Sequence, residues 1–193
     1  MKKQLIAALT IFFVSFLTVS QTACSRDTQA NTPVNSAYVH EIKSISLAGE
    51  NEPVNFTWKE NGKDMNLIDQ LKGKVTFLNF WGTWCPPCRA EIPHFVDLLT
   101  TYSASGFQVV GIALERDPNK EMDLVSNFVE KQKMNYRNFP SRKYAEEFAK
   151  VYGTIQYVPT TYVIGKDGKI MEKIVGGKTK QDFEEIIKKY LNQ

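Results

Sequence analysis

Two cysteines, Cys85 and Cys88, stand two residues apart just after the run Val75-Thr76-Phe77-Leu78-Asn79-Phe80-Trp81. That run is short, rich in β-forming side chains and preceded by Lys72-Gly73-Lys74, so it reads as a buried strand. Cysteines at this spacing can close a small disulfide, and beside a β/α pattern the spacing is that of a redox motif. At the first turn of a helix, Cys85 meets partial positive charge and free N–H groups that favour the thiolate, the form that attacks disulfides. Cys88, one turn in, should be less exposed and should resolve the mixed disulfide by attacking Cys85. Both intervening residues, Pro86 and Pro87, lack an N–H that could steady the thiolate. A less stabilised thiolate favours the disulfide, so the pair reads as a reductant. Zinc would need two further ligands from His40, His94 or carboxylates, none at metal spacing, so no metal is expected.

The elements that must hold this pair follow from periodicity. After Cys88 a helix is expected through Leu99, with Ile92, Phe95, Val96 and Leu99 on its apolar face and a kink at Pro93. Phe107 to Leu114 reads as a second buried strand ending at Glu115. Asp117-Pro118 reads as the start of a crossover helix with Met122, Val125, Phe128 and Val129 inward. A further helix carries Tyr144, Phe148, Val151 and Tyr152 and stops at Gly153. Thr160–Ile164 and Ile170–Val175 are strands joined across Asp167-Gly168, and Thr179 caps a last helix with Phe183, Ile186, Ile187, Tyr190 and Leu191 on one stripe. Upstream, Val54, Phe56 and Trp58 alternate before Asn61-Gly62, a hairpin signal, and Leu67–Leu71 looks like one helical turn stopped by Gly73. The sum is an α/β fold: a mixed central sheet with helices on both faces and an added N-terminal β-hairpin. The crossover rule makes the first two long strands parallel neighbours, with the cysteines at a carboxyl edge where such sheets place their ligands.

Lys2 and Lys3, an apolar run from Leu5 to Val19 and small residues up to Ala23 make residues 1–23 an export signal. Thr22-Ala23-Cys24 resembles the end of a bacterial lipobox, with Gln21 departing from the aliphatic residue that pattern favours. Cys24 is then a lipid anchor to a membrane; the alternative is a plain cleaved signal that leaves a free thiol. Residues 24–38 are polar and too poor in apolar groups to fold, a tether ahead of one domain at 39–193. The formal charge of +3 includes Lys2 and Lys3, so the exported part is close to neutral and carries no footprint for nucleic acid.

The order Lys-Gly-Lys-Val, Leu-Asn-Phe-Trp-Gly-Thr-Trp-Cys-Pro-Pro-Cys, Glu-Ile-Pro and, later, Val158-Pro159-Thr160-Thr161 resembles the extracytoplasmic thioredoxin-like proteins of the TlpA/ResA type, from about Leu47 to the C-terminus. The resemblance implies the thioredoxin fold and thiol–disulfide exchange with no cofactor beyond a redox-active Cys85–Cys88 disulfide. It implies that Pro159 is cis and lies against that disulfide, turning the Val158 backbone toward a substrate strand. Trp84, Pro86 and Thr160 complete the expected substrate-binding set, whereas Trp81 reads as core. Asn79 occupies the position where many cytoplasmic thioredoxins carry a buried aspartate, and it cannot titrate. Glu115, where ResA-type proteins carry an acid beneath the site, is the expected proton acceptor for Cys88. His94 reads as a surface residue.

The function so implied is reduction of disulfides in exported proteins at the bacterial cell envelope, fed by a membrane electron donor, with apocytochrome c maturation as one substrate class. Two other classes share the fold: a thiol peroxidase of peroxiredoxin type and a redox-inactive binding lipoprotein. No Pro-x-x-x-Thr-x-x-Cys pattern precedes Cys85, which weighs against the first, and the intact cysteine pair weighs against the second.

Overall fold

The computed structural model describes residues 37–193 apart from 48, 50 and 154. The export signal, Cys24 and the tether up to residue 36 lie outside the described residues. Five strands form the central sheet: β4 (Val75–Trp81), β5 (Phe107–Ala113), β6 (Arg137–Pro140), β7 (Thr160–Ile164) and β8 (Ile170–Val175), in the order β6-β5-β4-β7-β8. β4, β5 and β6 are parallel, with Phe77 opposite Val109; β7 runs antiparallel to β4, and the edge strand β8 antiparallel to β7. A separate antiparallel sheet is built from β1 (Ser44–Ser46), β2 (Asn55–Glu60) and β3 (Lys63–Asn66), so the hairpin expected upstream gains a third strand. Its turn holds Asn61 at φ 51 and Gly62 at φ 76, the left-handed pair that a two-residue loop between twisted strands demands.

All seven residues of β4 are buried, and period-two alternation sorts them between two cores. Val75, Phe77 and Trp81 face α2 (Pro86–Tyr102), α3 (Glu121–Lys131) and α5 (Lys180–Leu191), meeting Phe95, Val125 and Phe183. Leu78 and Phe80 face α1 (Leu67–Leu71), α4 (Ala145–Tyr152) and the N-terminal sheet, meeting Leu67, Phe148 and Phe56. Truncating a fully buried aromatic such as Phe77 in a core of this kind costs about 3–5 kcal/mol. Thr179 caps α5 through a reciprocal capping box with Asp182, and α2 runs through Pro93 as one helix from Pro86 to Tyr102.

Three expectations are corrected. The strand β6 is absent from the sequence reading; β5 holds it on one side, while Val39 bridges Asn138 on the other, His40 N–H donating to Asn138 O at 3.0 Å. Asp117 does not cap a helix, because its Oδ1 accepts the Asn119 N–H at 3.0 Å in a turn of its own, and α3 starts only at Glu121. Met122, expected inward, is 38% exposed, while Val125 and Val129 are in the core as expected.

Candidate active site

β4 ends at Trp81, and four residues later Cys85 is the N-cap of α2 in an extended conformation. Proline at the first two helical positions removes two N–H donors, so Cys88 N–H is the one at the N-cap, donating to Cys85 Sγ at 3.2 Å. The two cysteines form a disulfide with Cα atoms 5.3 Å apart. Cys88 is fully buried and Cys85 only 2% exposed, so less of Cys85 faces solvent than its position at a helix start suggests.

The Val158–Pro159 peptide is cis, and the Val158 carbonyl oxygen lies 3.5 Å from Cys85 Sγ. Pro159 O accepts the Gly176 N–H at 2.9 Å, and Thr160, buried, donates its hydroxyl to Tyr157 O at 2.8 Å, which leaves Tyr157 standing out at the rim. On the other side, Trp84 is 39% exposed and fixed by its indole N–H, which donates to Leu114 O at 3.1 Å. Its ring passes so close to Gly82 that a Cβ there would stand 2.6 Å from Nε1, so only glycine fits beneath the indole. The Arg116 guanidinium lies 4.5 Å from the Trp84 ring. Pro86 sits at the first helical position beside Cys85. Trp81 is fully buried, packed at 5.5 Å against Phe128.

Two buried carboxyl groups flank this arrangement. Glu115 follows β5, and its oxygens accept the Thr83 N–H at 2.7 Å and the Thr83 hydroxyl at 2.8 Å. These bonds tie it to the turn that leads into Cys85. Glu91, one helical turn beyond Cys88 on the same side of α2, is 2% exposed. It accepts one hydrogen bond, from Asn79 Nδ2 at 2.9 Å, and its Oε2 has no partner. Burial pushes its pKa up to about 8, against the smaller lowering effect of the Asn79 hydrogen bond. Asn79 also donates to Thr161 Oγ1 at 3.0 Å, so the residue that cannot titrate holds the one that can.

Glu91 has no role in the sequence reading, although its Glu-Ile-Pro signature stands in the resemblance. The signal available was positional: Cys88, Glu91, Ile92 and Phe95 share one helix face, and an acid inside an apolar stripe asks for a reason. Among the described residues no group of three or more histidine, cysteine or acidic side chains is placed to hold a metal ion.

A parallel-centred sheet with two edge-side antiparallel strands, a Cys-x-x-Cys disulfide capping the helix after its central strand and a cis-proline loop against it define a thioredoxin-like thiol–disulfide oxidoreductase. The comparisons agree. The Redoxin family profile matches residues 47–189, and the chain belongs to that family. It is 41% identical over 129 residues to the thiol-disulfide oxidoreductase ResA of Bacillus thuringiensis, covering 66% of this chain and 69% of the relative. To ResA of Bacillus subtilis it is 30% identical over 148 residues, 76% of each chain. Among solved structures, a thioredoxin-family thiol:disulfide interchange protein from Chlorobium tepidum superposes with a TM-score of 0.62 at 33% identity, over 76% of this chain and 99% of that one. The protein is an enzyme of thiol–disulfide exchange.

Proposed function

We propose that the protein reduces disulfides of exported proteins through Cys85 and Cys88, tethered to the outer side of a bacterial membrane by a lipid on Cys24. The observation that carries the reading is the disulfide at the first turn of α2, capped by the Cys88 N–H and set against Val158 O, with the buried Glu91 one helical turn beyond Cys88. In the dithiol form the Cys85 thiolate attacks a substrate sulfur, a mixed disulfide forms and one substrate thiolate leaves. Cys88 then gives its proton to the Glu91 carboxylate and attacks Cys85 Sγ; the second substrate thiolate leaves, and the enzyme ends as the disulfide with Glu91 neutral. Two electrons pass from the enzyme dithiol to the substrate, and a membrane dithiol donor restores the reduced enzyme. Burial one turn beyond Cys88 and a pKa raised to about 8, close to that of a thiol, support Glu91 as the acceptor. Substrate backbone pairs at Val158, with Trp84, Pro86 and Thr160 framing the approach. Apocytochrome c is one substrate class that fits this chemistry. Among the described residues no helix is long and apolar enough to cross a membrane; the lipobox-like Thr22-Ala23-Cys24 supports the tether.

The test is trapping. Cys88→Ser should accumulate a mixed disulfide between Cys85 and a substrate protein, whereas Cys85→Ser should accumulate none. Equal trapping by the two variants would sink the assignment of roles.

A further inference from the structure

The described arginines divide between the two ends of the sheet. Arg137, at the start of β6, is ion-paired with Glu60 at 2.8 Å. The other three lie where the parallel strands finish: Arg89 in the first turns of α2 after β4, Arg116 after β5 and Arg142 after β6. Among the described residues none of these three makes a side-chain ion pair, although Arg142 acts on the Glu121 carboxyl at longer range. All three are exposed. Nearby acids are already used: Glu115 by Thr83, Glu121 by the Arg142 N–H at 2.8 Å, and Asp117 by Lys120 and the Asn119 N–H.

Arg116 is the best placed of the three. Its guanidinium stacks on Trp84, the exposed indole next in sequence to Cys85, and that indole is anchored through Leu114 O. Stacking on a fixed ring orients the planar guanidinium while leaving its N–H edge free, and that edge matches a carboxylate through two parallel hydrogen bonds. We propose that the Trp84–Arg116 stack selects substrate segments that carry an aspartate or glutamate beside the cysteine to be reduced. The proposal rests on Cys85 being the sulfur that meets substrate. Arg89 and Arg142 extend the same positive rim, so a partner with several acids around its disulfide gains most, and the gain is sensitive to salt.

The experiment uses three oxidised peptides that are identical except for Glu, Gln or Lys next to the cysteine. Each is reduced by the dithiol form of the full protein at low ionic strength, and each kcat/KM is divided by the rate for the same peptide with dithiothreitol, which removes the intrinsic reactivity of the disulfide. The Glu peptide should exceed the Gln peptide by about fivefold, the effect of one close pair of unit charges in water, with the Lys peptide slowest. The order should flatten in about 0.5 M salt, where the screening length falls to a few ångström. Arg116→Glu should reverse the order and Arg116→Gln should level it; each variant is compared only with itself, so a general loss of activity leaves the ratio readable. Equal rates for the three peptides, or one order kept by all three proteins, overturns the proposal while leaving disulfide reduction intact. Failure of the unmodified protein to reduce any of the peptides overturns the reading of Cys85 and, with it, this proposal.

Discussion

Glu91 and Glu115 are equally hidden, each 2% exposed, and they flank the same helix start, yet the fold supplies them with different numbers of hydrogen-bond donors. Glu115 receives two hydrogen bonds from one residue, the backbone and hydroxyl of Thr83. Glu91 receives one, from Asn79, and its second oxygen faces no donor. Burial by itself therefore does not say how well a carboxyl group is satisfied. What separates the two is how many donors the fold supplies, because a carboxylate left short of donors in an apolar core prefers to hold a proton.

The largest effect expected from this contrast is kinetic. Glu91→Gln should slow the resolving attack of Cys88 by about 10²–10⁴-fold and flatten its pH dependence, whereas Glu115→Gln should leave that pH profile in place. Single-turnover reduction of a small disulfide between pH 5 and 9 measures both, and equal slowing by the two variants would erase the distinction. Next comes stability of the disulfide form. Below pH 4.5 Glu91 is protonated whether the chain is folded or not, but between 4.5 and about 8 the unfolded chain releases a proton that the folded one keeps. Stability should fall as pH rises through that window, by on the order of 5 kcal/mol at the limit from this group, and Glu91→Gln should remove this group's part of the slope in urea unfolding at pH 5 and 8.5. A smaller effect is expected on the Glu115 side, where Glu115→Ala strands the Thr83 N–H and should cost about 1–3 kcal/mol in the same unfolding assay. Smallest of all, Thr83→Ser keeps both bonds to Glu115 and should cost roughly 0.5 kcal/mol or less.

The cysteine pair, the strand beneath it, both Gly-containing hairpin turns and the Thr179 cap were legible because each is written in adjacent residues: a spacing, an alternation, a left-handed glycine, a hydroxyl three places before an acid. What was not legible is held by distant partners. Arg137-Asn138-Phe139-Pro140 has no alternation and ends in proline, and it is a strand because β5 and the Tyr38–His40 segment supply its hydrogen bonds. The misplaced start of α3 has a local cause, since Asp117 has a competing use for its side chain two residues on. Glu91 was visible as an acid on an apolar face, but nothing in the chain says that Asn79, twelve residues earlier, supplies its one hydrogen bond and leaves the other oxygen bare.

The three tryptophans give the chain an optical property. Trp58 and Trp81 are 1% and 0% exposed, and Trp84 alone meets water, next in sequence to the disulfide. A collisional quencher in solution therefore samples one indole of the three, the one on which Arg116 rests. Anionic iodide is drawn to that guanidinium and caesium is repelled, so the difference in their quenching reads the charge at the mouth of the active site without any label.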